Sequence, residues 1–266
     1  FGMFGAAVGL GFIIGPVIGG LLGQYGSRVP FYAAAVLCLL NFLYGYFILP
    51  ESLSKDNRRE FSLKRANPIG AFLNLKKYPQ LIGLMLATFI LYVASHAVNS
   101  NWSYYTMYKF NWDEKMVGIS LGIVGLLVGL VQGVLIRWIN PILGNKKSIF
   151  IGLILYTIGM FLFAFASQSW QMLVFIIPYC LAGIAGPAIQ AVISSQVPAN
   201  EQGEIQGTLS SLMSASAIVG PPMMSTVFYY FTHKDAPFQF AGAPFVLGGV
   251  LMLLSTIIAY FSFKKK

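Results

Sequence analysis

Apolar residues fill this chain in long unbroken stretches, and charges, prolines and polar clusters fall between them. A bilayer hydrocarbon core of about 30 Å is crossed by about 20 apolar residues of α-helix. Eight runs reach that length: 2–25, 30–49, 80–101, 116–136, 148–167, 172–194, 206–231 and 243–263. The first has no basic stretch ahead of it and carries glycines throughout, so it reads as a spanning helix and not as a cleaved signal. The pattern predicts an all-α transmembrane protein.

Composition agrees with the pattern. Of the 266 residues 57% are hydrophobic and only 9% charged, whereas about a quarter of residues are charged in an ordinary soluble domain. The net charge of +9 raises the question of nucleic acid, which requires basic residues clustered on one water-exposed face. Here they sit in the gaps between runs. Alternate gaps face opposite sides of a membrane, and Lys/Arg counts then fix the cytoplasmic side. The gaps around Arg58, Lys76, Arg137, Lys147 and the terminal Lys264 to Lys266 hold 13 of the 17 basic residues; those around Arg28, Lys109, Lys115 and Lys234 hold 4. The basic excess is therefore a topology signal. It makes the gap 50–79 and the C-terminus cytoplasmic, in a multi-pass protein of the cell's inner (plasma) membrane with no nucleic-acid partner. Within that gap, Asn67-Pro68 resembles a cap and first helical turn leading into Ile69, Phe72, Leu73 and Leu75, flanked by Lys64, Arg65, Lys76 and Lys77. This predicts a short helix lying along the membrane surface. Cys38 and Cys180 both lie inside apolar runs with no metal or disulfide spacing, so they read as packing residues.

Comparing the chain with itself reveals a repeat. Gly11-Phe-Ile-Ile-Gly15-Pro16 in the first run aligns with Ser216-Ala-Ile-Val-Gly220-Pro221 in the seventh. The second run aligns with the eighth through Pro30/Pro244, Phe31/Phe245, Val36/Val250, Leu37/Leu251, Leu39/Leu253, Leu40/Leu254, Tyr46/Tyr260 and Phe47/Phe261. A two-helix unit thus recurs six helices later. Parallel six-helix repeats are the plan of major facilitator transporters, whose substrate lies between the two halves. The eight runs then correspond to helices five to twelve of twelve: 1–49 closes the N-terminal bundle, 50–79 is the central loop, and 80–266 is the C-terminal six-helix bundle. The chain opens at Phe1 with almost no lead-in, which suits a fragment.

Particular residues carry a family resemblance. Gly11-x-x-x-Gly15-Pro16-x-x-Gly19-Gly20 resembles the fifth-helix motif of drug:proton antiporters of the major facilitator superfamily. Glycines four apart admit a neighbouring backbone, and Pro16 bends the helix. Trp102-Ser-Tyr-Tyr-Thr-Met-Tyr-Lys-Phe-Asn-Trp112, Val117-Gly118-Ile-Ser-Leu-Gly, Gly186-Pro187-Ala-Ile-Gln190 and Glu201-Gln202-Gly203-Glu204-Ile-Gln206-Gly207 are similar to the tetracycline-resistance efflux branch. Pro50-Glu51-Ser52 falls where the family's sixth helix meets its central loop. The resemblance covers essentially the whole chain and implies a monomeric, proton-coupled exporter of a drug-like molecule. Such a protein works by alternating access, with a proton gradient as its energy source, no cofactor, and substrate, protons and lipid as its partners. Glu201 to Gln206 reads equally as a helix N-terminal cap or as a gating segment.

Polar groups inside a membrane are costly and usually face a bundle interior or a cavity. All eight acids fall in gaps, and His96 is the residue within a span whose charge changes near neutral pH. Spacing of three puts Asn99 on its face. His96, Asn99, Gln132, Gln190, Ser210 and Ser214 are the candidate substrate contacts, with interhelical hydrogen bonding as their bland alternative. Gly220 and Pro221 are the candidate bend equivalent to Gly15-Pro16. The family implies membrane-embedded carboxylates for proton coupling, largely in the first four helices. This chain has none at mid-span, and its fifth run reads Gly152-Leu-Ile-Leu-Tyr156-Thr157 where tetracycline exporters can carry an acid. The eight runs alone are therefore not expected to transport. Alternatives are an exporter of another small molecule, such as a sugar or metabolite, or a truncated membrane protein that transports nothing. An intramembrane enzyme would need a nucleophile, base or metal cluster, and the runs are expected to offer no GxSxG elbow, no HExxH and no pair of intramembrane Asp.

Overall fold

The computed structural model describes residues 29–50, 79–236 and 238–264, with scattered positions between 7 and 28. All regular structure among them is helical. Helix α1 is Val29–Phe47, α2 Pro79–Phe110 and α3 Glu114–Leu130. The π-turn Val131–Leu135 joins α3 to α4, Ile136–Phe165. Helix α5, Ser169–Leu181, passes through a 3-10 turn, Ala182–Ile184, into α6, Ala185–Ser195. Helices α7, Gln202–Thr232, and α8, Ala243–Lys264, complete the chain.

Helix boundaries follow local chemistry. Asn111 turns the chain after α2 with φ +53, in the left-handed region that Asn tolerates better than most residues. Asp113 then caps α3 by accepting a 2.7 Å hydrogen bond from the Met116 amide. The carboxamide oxygen of Gln171 accepts from the Ser167 and Gln168 amides at 2.7 and 2.9 Å and starts α5. Both α1 and α8 begin one residue before a proline, Pro30 and Pro244. The second and eighth runs therefore match in their helix starts as well as in their residues.

Three expected boundaries move. The third run does not end at 101: α2 continues to Phe110, because Trp102 and Tyr105 are buried and extend its packed face by two turns. The gap expected at 137–147 is largely helical and is broken at Gly144, whose φ +72 and ψ 161 leave the helical region. There Asn140 donates to Asn145 at 2.8 Å, and Ser148 donates to Asn140 at 3.2 Å. The chain doubles back at this point, so that Ser120 and Phe163 both meet Trp102. The sixth run is interrupted at 182–184, between Pro178 and Pro187, where missing amide donors weaken the α-helical ladder.

Five described segments are long and apolar enough to cross a membrane: Val29–Phe47, Leu81–Phe110, Lys115–Phe165, Ser169–Ser195 and Ala243–Lys264. The third of these doubles back at Gly144 and supplies two passes. The 31-residue α7 is not among them, its serines, threonines and glutamines diluting the apolar run. The buried apolar core runs from Leu81 to Ala259, whereas α1 buries none of its residues.

Small residues set the helix spacing, as expected where lipid removes the usual apolar driving force between helices. A β-carbon on Gly152 of α4 would lie 2.6 Å from Ala185 Cβ and 2.8 Å from the Ala182 carbonyl oxygen. One on Gly248 of α8 would lie 3.0 Å from Ala97 Cβ, and one on Gly83 of α2 would lie 2.9 Å from Ser262 Cβ. Directional bonds supplement this packing. Ser255 donates to the Ala87 carbonyl at 2.8 Å, and the Tyr105 hydroxyl donates to the Phe163 carbonyl at 2.6 Å. The expected surface helix around Ile69 to Leu75 lies outside the described residues.

Candidate functional site

Helices α2 and α7 run side by side in the same direction. His96 meets Gly220, and twelve residues further along both helices the Tyr108 hydroxyl reaches the Thr232 carbonyl at 3.5 Å. At the first of these levels the imidazole and Cβ of His96 occupy the space a side chain at Gly220 would need: a β-carbon there would lie 2.7 Å from His96 Cγ and 2.9 Å from its Cβ. Pro221 and Pro222 follow within α7 and supply no amide donors. Two helix-weakening prolines thus directly follow the glycine at which α7 meets His96.

The six candidate contacts are not gathered at one point. His96 is half-buried against α7, while Asn99 is exposed. Ser210 and Ser214 are exposed one turn apart on α7. The register of the parallel pair sets Asn99 level with residue 223, so Ser214 lies nine residues lower, about 13 Å at 1.5 Å per residue. Gln132 is half-buried in the π-turn, with its amide nitrogen 3.4 Å from where a β-carbon on Gly183 would sit. Gln190 is half-buried two turns along α6 from that glycine. A cavity of about 320 Å³ between α4 and α5 is lined by Ile158, Phe161, Leu162, Phe165, Gln171 and Phe175, and contains none of the six.

Gly11, Gly15 and Gly19 are helical, and among the described residues nothing lies within 4 Å of the place a β-carbon on any of them would take. Pro16 and Gly20 lie outside the described residues. The two repeat-related glycines therefore sit in different surroundings, Gly220 packed on His96 and Gly15 open. No group of three or more His, Cys, Asp or Glu among the described residues has the geometry of a metal site.

Several structural residues escape sequence reasoning. The amide of Gln202 donates to the Ser194 and Val197 carbonyls at 2.6 and 2.9 Å, and that of Gln206 to the Ser194 hydroxyl at 3.4 Å. Within Glu201 to Gln206, these amides tie the start of α7 to the end of α6. Against the expectation of no GxSxG, Gly118-Ile-Ser120-Leu-Gly122 has the spelling of a serine-nucleophile elbow. The structure excludes that role: Ser120 lies inside the continuous helix α3, fully buried, accepting from the Trp102 indole at 2.9 Å and donating to the Val117 carbonyl at 2.7 Å. An elbow instead requires an exposed serine on a strained strand-to-helix turn. Asn101 is fully buried, and neither atom of its amide has a hydrogen-bond partner among the described residues. Only its spacing from Ala97 and Tyr105, four residues either way, signals that it faces inward.

Stacked spanning helices joined by short turns, with exposed polar residues along one face of α7, define a multi-pass helical membrane protein. The profile of the Major Facilitator Superfamily matches residues 1–143 and again 84–266. The chain belongs to that superfamily of membrane transporters. It is 35% identical to tetracycline resistance protein class C of Escherichia coli over 86% of this chain and 57% of that protein. It is 33% identical to the class E protein of Escherichia coli over 98% of this chain and 63% of that one. The crystal structure of the human organic anion transporter MFSD10 superposes with a TM-score of 0.84 at 21% identity, over 97% of this chain and 62% of that one. The chain therefore spans about three-fifths of the length of these relatives.

Proposed function

We propose that the protein to which this chain belongs exports a tetracycline-like drug in exchange for protons, by rocking two helical bundles around a central cavity. The observation that carries this reading is the identity of 35% and 33% to class C and class E tetracycline resistance proteins across most of the chain. On this reading 1–49 closes the N-terminal bundle, 50–79 links the bundles and 80–266 forms the C-terminal bundle, with the 50–79 loop and the C-terminus cytoplasmic. Asn99, Ser210, Ser214, Gln132 and Gln190 supply neutral polar contacts along the cavity wall, suited to a ligand with an apolar body and a few polar groups. His96 positions α2 against α7 and carries the protonatable group nearest that wall. The energy source is the proton gradient, and no cofactor takes part.

The test is drug accumulation in cells expressing the complete protein, with tetracycline among the compounds, with and without a proton uncoupler. Exclusion of tetracycline that the uncoupler abolishes is the expected result. Exclusion that survives the uncoupler removes proton coupling, and equal accumulation with and without the protein removes tetracycline as substrate. In the same assay Gly15→Leu is expected to abolish efflux while the protein still reaches the membrane. Normal efflux in that variant would remove the packing role of the Gly11 to Gly20 motif.

A further inference from the structure

We infer that α4 and α8 form a binding site for an anionic phospholipid at the end of the bundle where α8 finishes. The two helices are antiparallel neighbours: Gly248 and Gly249 of α8 meet Met160 and Phe161 of α4, and one end of the pair is closed by aromatic and basic side chains. There the Lys146 ammonium stands 5.3 Å from the centre of the Phe263 ring. Phe263 packs on Phe150 at 5.8 Å, and Phe150 on Tyr260 at 6.2 Å. This ring cluster holds Lys146 at the rim; Lys147 adjoins Lys146 and Lys264 adjoins Phe263 in the sequence, and all three lysines are exposed. No described carboxylate pairs with any of them. Lys146 therefore stands at the rim, with two further exposed lysines next to it and to Phe263 in the chain, and no counter-charge among the described residues.

What lies below the rim selects a lipid over a soluble anion. One turn from Phe150 along α4, Ile154 is 48% exposed; two turns from Tyr260 along α8, Leu253 is 45% exposed. They continue as an apolar stripe down to the Phe161–Gly249 contact. A phosphate among the lysines with an acyl chain along that stripe satisfies both halves of the surface. A free anion satisfies only the first. Basic residues near a membrane surface attract anionic headgroups by about 1 kcal/mol each, which corresponds to about fivefold in affinity per lysine. The site is independent of the transported substrate, so it stands or falls apart from the export reading.

The test is native mass spectrometry and thermal unfolding of the purified protein in nanodiscs of phosphatidylcholine alone or mixed with phosphatidylglycerol. Phosphatidylglycerol is expected to remain bound and to raise the unfolding midpoint. The double variant K146Q/K264Q is expected to lose about 25-fold in retention, whereas K146R/K264R and the opposite-end variant Lys115→Gln retain it. Equal retention of phosphatidylglycerol by K146Q/K264Q, or equal loss in Lys115→Gln, overturns the site. Reproduction of the whole midpoint shift by inorganic phosphate in phosphatidylcholine discs overturns the lipid assignment.

Discussion

The imidazole of His96 lies where a side chain on Gly220 would have to be, so α2 and α7 approach across a histidine on one side and bare backbone on the other. Part of the contact is the His96 β-carbon, which no rotamer change can move, 2.9 Å from the position a Gly220 β-carbon would take. Gly220→Ala is expected to destabilise the bundle by about 1–3 kcal/mol, the usual cost of overpacking. His96→Ala in the same background restores only part of that, because it removes the ring and keeps the β-carbon. A double-mutant cycle on thermal unfolding in detergent measures the coupling. Additive effects would show that the two helices separate freely.

Gly152 meets a less yielding surface, since its neighbours include the Ala182 carbonyl oxygen and the Ala185 backbone nitrogen, 2.8 and 2.9 Å from where its β-carbon would sit. Backbone atoms cannot rotate away. Gly152→Ala is expected to cost at least as much as Gly220→Ala, about 2–3 kcal/mol. Gly118→Ala serves as the control: nothing lies within 4 Å of its position among the described residues, so removing a helical glycine there should be neutral or slightly stabilising. Comparing the two unfolding midpoints checks this, and equal midpoints would refute it.

Trp102 and Ser120 join α2 to α3 through a 2.9 Å hydrogen bond between two buried groups. Ser120→Ala leaves the indole N–H without its partner, whereas Trp102→Phe removes the donor itself. Interhelical hydrogen bonds in membrane proteins average about 0.6 kcal/mol, so the coupling energy in a W102F/S120A cycle is expected near that value. A coupling indistinguishable from zero would mean that ring packing alone holds this contact.

Asn101 behaves oppositely. Its amide is buried without a hydrogen-bond partner among the described residues, and an unsatisfied buried polar group costs about 1–3 kcal/mol. Asn101→Leu is therefore expected to raise the unfolding midpoint, read in the same thermal assay. A lowered midpoint would show that the amide is satisfied in the membrane, by water or by a partner segment.

Most of the spans from 30 onward were legible, α7 being the exception among the described helices, because bilayer thickness and the cost of buried charge act on every residue of a run, whichever helices become neighbours. The starts of α1 and α8 were equally legible, since Pro30 and Pro244 fix them by local backbone chemistry. The end of α2 was less so: the apolar run ends at 101, and only the burial of Trp102 and Tyr105 shows why the helix continues to Phe110. The candidate contacts were visible as polar residues within spans, but periodicity on one helix says nothing about height on another. His96 and Asn99 share a face, yet His96 is spent on Gly220 while Asn99 is exposed.

Sequence by itself determined that this is a multi-pass helical membrane protein, because hydrophobic length, charge placement and proline positions are properties of the chain alone. Tertiary structure decided what each polar or small residue does: that Ser120 serves Trp102 and not a reaction, that Gly152 and Gly220 are contact points, and that Lys146 closes a groove with Phe263. Those roles depend on which side chain stands opposite across a helix interface. That is a relation between residues far apart in the chain, which no local pattern encodes.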